Sequence, residues 1–306
     1  MHEHGNLTPS QASQAGYYNQ STLQCYIRQW RHQANFKAWL DYMIFRRQLG
    51  YPLSPLRLQQ ALQWQRQSPV KRLLNGCFGH RHRQLRNLID EVQSKQSQQL
   101  PPAAVKLPYR NTVSRWRNNA PQVIATLHQQ LASAQVTVVG NSPNLAGQNL
   151  GQAIDSSDIV IRFNQFVSTQ TRHEDIGTKH SIWVMAPGYQ GPVPADINLV
   201  IITGPDMLWW QQRWPQLAEH SADVIGVPLN YWRDCVRLLN APPSAGFLLV
   251  YWLRSFVPHA QLKITGFGVE NSQPYHHAIK GHQAVSRHNW TAETTIMKQW
   301  ISQHSL

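Results

Sequence analysis

From about residue 112 onward the chain is punctuated by short β-rich runs: VTVVG, DIVIRF, HSIWVMA, INLVIITG, DVIGVP and LKITGFG. Their apolar residues are nearly continuous instead of alternating with polar ones, which is the pattern of strands buried on both faces. Helical segments lie between several of them, notably PDMLWWQQRWPQLAEH and SAGFLLVYWLRSF, and PQVIATLHQQLASA leads into the first. Parallel strands need long crossovers, and helical crossovers cover the sheet. The expected architecture is α/β, a Rossmann-like, mostly parallel sheet with helices on both faces. Ligands of such sheets bind at the carboxyl ends of the strands. The residues that directly follow each run are therefore the candidates for a site.

The chain before this region has a different texture. Residues 1–22 read as a loose polar tail. Residues 23–110 form a basic helical segment ending in a linker, with helical spacing in FKAWLDYMIFRRQLG and LRLQQALQWQRQ. Gly50 suits the close of the first helix and Pro55 the opening of the second. LPPAAVKLP, with three prolines in nine residues, reads as a boundary. Residues 111–306 make up the α/β domain. The 306 residues carry 28 Lys and Arg against 15 Asp and Glu, a net charge of +13. That balance favours an anionic partner: nucleic acid, an acidic membrane surface, or a phosphorylated substrate. The run KRLLNGCFGHRHRQLR concentrates it; as a bare charge run it is a solvated face, with anionic lipid or nucleic acid as the functional readings. Cys25, Cys77 and Cys235 are widely spaced with no CxxC pair, which argues against a disulfide framework and for a reducing compartment. The polar beginning lacks a signal-peptide core, and apolar stretches such as AGFLLVYWL are too short to span a bilayer. The expected location is the cytoplasm, peripheral on the inner face of the membrane if the basic segment meets lipid.

The loop after the first run is Gly140, Asn141, Ser142, Pro143, Asn144. It is neither GxGxxG nor GxxxxGK[ST], so nicotinamide dinucleotides and nucleoside triphosphates lose their usual support. Asn side chains and backbone N–H groups suit a ribose, a base edge and a single phosphate. A second run ends in Arg162, Phe163, Asn164, so two strand ends present Asn. Taken alone, the loop is an ordinary Asx turn. No Asp-x-Asp metal motif is present; Asp155 and Asp158 read as turn and helix-end residues.

VVGNSPNLAGQNLGQAIDSSDIVIRFN resembles the large sialylmotif of glycosyltransferase family 29, the animal-type sialyltransferases, over 27 residues without a gap. HEDIGTKHSIWVMAP continues it. The stretch from Ala241 to Gly268 resembles the small sialylmotif through Pro243, Ser244, Gly246 and Gly266-Phe267-Gly268, with Ala245 in place of the family's Thr. Tyr275-His276-His277 resembles the third motif, and His288 to Glu293, HNWTAE, resembles the last. All four occur in the family's order, over about residues 120–303. The resemblance implies a GT-A-like variant of the fold and a sialyltransferase-like domain at 111–306. It also implies a CMP-sugar donor, no cofactor and no metal, and inversion at the transferred carbon.

Residue by residue, the resemblance assigns donor contacts to Asn141, Ser142, Asn144, Asn164, Ser244, Ala245, Gly246 and Gly266. Ser244-Ala245-Gly246 opens an apolar helix, whose free N–H groups suit a phosphate. His288 is the expected general base, since an imidazole titrates near neutrality and a place at a helix N-terminus keeps it neutral. His277 or His276 would donate to the departing phosphate. Glu293 stands five residues from His288, off its helical face, and takes an orienting role with Arg162. The implied donor is CMP-sialic acid, and the acceptor a glycan or glycolipid hydroxyl.

Two departures matter. The disulfide that joins the family's two sialylmotifs falls at Val136 and His259 here, both non-cysteine, as suits a reducing compartment. The family's membrane anchor is not seen, which points to a bacterial cytoplasmic relative. The competing readings are a transferase of another CMP-keto sugar such as Kdo and a family 42 enzyme, which shares the RxNQF ending seen at Arg162–Phe166. The third is a basic nucleic-acid or membrane binder on a dead transferase fold; intact Ser244 and His288 argue against it and against nucleic acid. Gly188–Pro194 and Trp209–Trp214 are the candidate acceptor loops.

Overall fold

The computed structural model describes residues 7–15, 17–49, 51, 53–93, 110–166, 172–186, 189, 191–204, 217–268 and 288–304. Gly50, the linker prolines at 101, 102 and 108, the histidines at 276 and 277, Gly188 and the segment 209–214 lie outside them.

Among the described residues six helices come first: α1 (Pro9–Gln14), α2 (Gln20–Gln33), α3 (Phe36–Gln48), α4 (Pro55–Arg66), α5 (Pro69–Leu74) and α6 (Gly79–Gln93). Local chemistry sets most of their starts. Asn19, Asn35, Ser54 and Ser68 each accept a first-turn N–H, from Thr22, Ala38, Arg57 and Lys71. Pro55 opens α4 as expected. The expectation of a loose tail up to residue 22 is corrected. Thr8 and Gln11 form a capping box at α1, Ala12 is buried, and the Ser13 and Tyr26 hydroxyls bond at 3.0 Å. A short polar helix needs only a good cap and one buried contact to settle on its neighbour. Helix α3 is buried nearly all round, through Phe36, Trp39, Leu40, Tyr42, Met43 and Phe45. It is the hub of this layer.

Helix α7 (Arg110–Ser133) leads into β1 (Val136–Val139). It begins well before the expected start at Pro121, which lies inside it. A mid-helix proline forfeits one hydrogen bond. Packing offsets the loss: Val113 and Trp116 are buried, and the Trp116 indole donates to the Ala222 carbonyl at 3.2 Å.

The other strands are β2 (Ile159–Phe163), β3 (Ile182–Met185), β4 (Leu199–Ile202), β5 (Asp223–Gly226) and β6 (Leu262–Thr265). All six expected runs are strands. They form one parallel sheet in the order β5-β4-β3-β2-β1-β6. Both faces are buried, as the continuous apolar runs required. Val136, Val138, Ile161, Val184, Ile201 and Ile225 face one side with Leu127 and Leu131, and Val139, Val160, Trp183, Val200 and Val224 face the other. The first side's cluster also takes in Leu23, Trp39 and Leu85, so the helical segment and the sheet share a core.

Between the strands lie α8 (Gly151–Asp155), α9 (His173–Ile176), α10 (Leu229–Leu239) and α11 (Ala245–Leu253), and α12 (Trp290–His304) closes the chain. No described helix is long and apolar enough to cross a membrane. The chain steps outward from β1 to β5, then returns past β1 to place β6 on its far side. The order reverses between β1 and β6, and in sheets of this kind ligands bind outside the carboxyl ends of the strands at such a point.

Candidate active site

Two glycines let the ends of β1 and β6 meet closely. Gly140 N–H donates to the Thr265 carbonyl at 2.8 Å, and Ser142 N–H to the Gly266 carbonyl at 2.8 Å. A Cβ on Gly140 would stand 2.2 Å from the Gly266 oxygen. A Cβ on Gly266, whose φ is +73°, would stand 2.6 Å from the Gly140 oxygen. Backbone faces backbone, so neither side can yield. Gly140→Ala is expected to cost more than about 2 kcal/mol, read as a lower urea midpoint with an unchanged slope. An unshifted midpoint would show that the strand ends part at no cost.

The Asn residues divide their work. Asn141 is buried and its Nδ2 donates to the carbonyls of Phe163 (2.9 Å) and Gln165 (3.1 Å), bracing the end of β1 against the end of β2. Ser142 Oγ accepts the Asn144 N–H at 3.4 Å and caps the turn Pro143–Leu145. Asn144 is exposed, reaching the Phe267 carbonyl at 3.4 Å. Asn164 sits at φ +46°, a left-handed conformation that Asn tolerates. Its Oδ1 accepts the Ala186 N–H at 2.9 Å and its carbonyl accepts the Trp183 indole at 2.8 Å. Its Nδ2 has no partner among the described residues.

Arg162 is committed to partners within the protein. It is 1% exposed, donating from Nε to the Lys179 carbonyl at 2.7 Å and from Nη2 to the Ile176 carbonyl at 2.6 Å. Burial pulls its pKa down to about 10, against the pull of Asp155 at 4.0 Å. Burial works against the Asp155 carboxylate too, but the N–H groups of Thr178 and Lys179, the Thr178 hydroxyl and Arg162 together hold it below the usual range. Asp158 accepts the Gln135 N–H at 2.8 Å ahead of β1. The two acids bind turns and strand ends, as their spacing suggested.

The start of α11 packs against the strand ends through Phe267. Ser244 caps it, its Oγ accepting the Phe247 N–H at 3.2 Å. The Ser244 N–H and hydroxyl both donate to Glu293 of α12, to Oε1 at 2.7 Å and Oε2 at 2.6 Å. Glu293 is 4% exposed, and burial pushes its pKa up to about 7 against those two bonds. The N–H groups of Ala245 and Gly246, at the first turn of α11, have no partner among the described residues. Gly246 is packed against Phe267, whose Cε1 a Cβ would meet at 2.5 Å. The Phe267 ring also stands edge-on to Phe163 at 5.9 Å. It thereby joins the ends of β2 and β6 to the start of α11.

His288 precedes Asn289, whose Oδ1 accepts the Ala292 N–H at the start of α12. His288 Nδ1 lies 2.7 Å from the Pro242 carbonyl. A carbonyl only accepts, so Nδ1 carries the proton, and a neutral ring then has its lone pair on Nε2. Trp290 meets the ring edge-on at 5.0 Å. Asn289 Nδ2 donates to the Leu239 carbonyl at 2.9 Å. Four bonds, one each to Leu239 and Pro242 and two to Ser244, thus pin the head of α12 against the end of α10 and the loop to α11. Of these partners the sequence singled out Ser244 alone. Phe267 stood in the GFG stretch with no role of its own. Pro242 and Leu239 act through backbone carbonyls, which carry no mark in a sequence.

Residues 90–219 match the model for glycosyltransferase family 29 (sialyltransferase). The family resemblance is borne out over that span. The mouse and rat proteins named CMP-N-acetylneuraminate-beta-galactosamide-alpha-2,3-sialyltransferase 2 are each 34% identical over 162 residues, 46% of this chain. The match spans 45% of the length of those relatives. Two solved structures of a mammalian sialyltransferase, one in complex with Gal-beta-1-3GalNAc-ortho-nitrophenol, cover 65% of this chain and 84% of theirs. Both have a TM-score of 0.44, at 17% and 16% identity.

Proposed function

We propose that this chain, with its family 29 segment at residues 90–219, transfers sialic acid from CMP-sialic acid to a glycan hydroxyl, with inversion and without a metal. The observation that carries the reading is the pairing of His288 Nδ1 with the Pro242 carbonyl beside the Glu293–Ser244 clamp. It makes Nε2 of a neutral imidazole the proton acceptor, on a ring held by the carbonyl two residues before the Ser244 that opens α11. The acceptor oxygen attacks the anomeric carbon and its proton passes to Nε2. The bond from that carbon to the CMP phosphate breaks, and the electron pair leaves on the phosphate oxygen. The Ala245 and Gly246 N–H groups and the positive end of α11 receive that charge. Ser244 spends its own N–H on Glu293, so its part is to hold those two in place. Asn144 and Asn164 are the reading's nucleoside contacts, braced by Asn141, Ser142 and Gly266.

Release of CMP from CMP-sialic acid, with CMP-Kdo as the second arm, over a panel of glycans is the direct test. Acceptor-dependent release from CMP-sialic acid supports the reading, and release from CMP-Kdo alone would replace the donor. The absence of an Asp-x-Asp sequence supports chemistry without metal. Full activity is expected in excess EDTA; a loss restored by a divalent cation would refute that part.

A further inference from the structure

Helix α5 buries none of its residues. Val70, Leu73 and Leu74 lie at i, i+3 and i+4, on one helical face, and are 67%, 61% and 80% exposed. Phe78, four residues on in the turn before α6, is 56% exposed. Single exposed apolar residues are ordinary, but four within nine residues form a patch. The surroundings are cationic. No Asp or Glu occurs between Asp41 and Asp90, and Arg66, Lys71, Arg83 and Arg86 are all exposed there. Arg72 and Arg81 are partly engaged, with His82 at 3.1 Å and with the Asp41 charge.

We propose that this tip, α5 with the turn to α6, docks on an anionic bilayer surface, Val70, Leu73, Leu74 and Phe78 entering the headgroup region while the basic side chains meet lipid phosphates. Aliphatic side chains at the tip of a cationic rim gain nothing from a nucleic-acid backbone but gain directly from the interfacial layer of a bilayer. Charge and apolar reach are complementary to an acidic membrane, and each is weak without the other. Docking of this kind is independent of whether the chain transfers sugar.

The test is sedimentation of the full chain with vesicles of phosphatidylcholine, with and without phosphatidylglycerol, at low and high salt. Binding is expected only with phosphatidylglycerol. It should fall about tenfold or more when Val70→Ser, Leu73→Ser, Leu74→Ser and Phe78→Ser are combined. Lys71→Gln, Arg83→Gln and Arg86→Gln together should lose a similar amount and flatten the salt dependence. All seven positions are exposed, so the far-ultraviolet circular dichroism of both variants should match that of the native chain. Absence of vesicle binding, or an apolar variant that binds vesicles as the native chain does, would overturn the proposal. So would duplex DNA bound through the charges alone, or a dimer in light scattering that the apolar variant dissolves.

Discussion

His288→Ala is expected to lower transfer by about a thousandfold while CMP binds nearly as tightly as to the native chain. The magnitude is that of a positioned general base, which contributes about 10²- to 10⁴-fold. The split follows from the geometry. His288 meets the α10–α11 loop through Pro242, whereas the proposed donor contacts are at the ends of β1 and β2 and at the start of α11. Removing the ring takes the proposed proton acceptor and leaves those strand ends braced. Initial rates of CMP release and calorimetric titration with CMP measure the two halves separately. The acid limb of the native pH–rate profile should also vanish in the variant's residual activity, because the group that must be deprotonated is gone. Unchanged turnover would remove His288 as the base. Loss of CMP binding together with turnover would make it a donor contact.

The second large effect concerns Glu293, and its sign runs against the habit of acid denaturation. Burial lifts its pKa in the folded chain to about 7, above the ordinary value of 4.5. Between those two values the folded chain holds a proton that the unfolded chain has released. Stability from this group is therefore greatest below about pH 4.5, falls by roughly 3 kcal/mol as pH rises to about 7, and is flat beyond. Glu293→Gln keeps the shape and removes the titration. Urea midpoints of native and variant chains across that window should thus diverge, the variant gaining on the native chain as pH rises. Parallel profiles would show that the carboxyl titrates normally. Glu293→Ala is a different lesion. It leaves the Ser244 N–H without its acceptor inside the protein, a cost of about 1–3 kcal/mol, and frees the head of α12. Transfer should then drop along with stability, since His288 loses a neighbouring anchor.

These two residues show how unevenly the site could be read in advance. Local rules were enough for the strands. A run such as VTVVG or LVII is nearly continuously apolar, rich in β-branched residues and short, which suits a strand covered on both faces. Helix openings such as Pro55, or Ser244 ahead of an apolar helix, were visible for the same reason: partner and target lie within one turn. Helix α7 escaped the rule because Pro121 looks like a helix start, and only the burial of Val113 and Trp116 outweighs the lost backbone bond. Helix α10 carries Asp and Arg among its apolar residues, and the sequence reading did not single it out.

At the site the division is sharper. By itself the sequence determined which segments are strands and which residues follow them, because a nearly continuous apolar run suits a strand buried on both faces. Their order in the sheet came from the fold. The sequence also named Asn144, Asn164, Ser244, His288 and Glu293 as candidate site residues. The tertiary structure alone decided what each one does. Asn141 became a brace between β1 and β2, Arg162 an anchor for the 176–179 turn, and Ser244 a donor to a carboxylate 49 positions away. Which nitrogen of His288 carries the proton was decided by the Pro242 carbonyl, a backbone atom of a loop 46 positions earlier. A sequence records side chains in chain order. Hydrogen bonds between distant segments, and the backbone groups that accept them, exist only once the fold has set the distances.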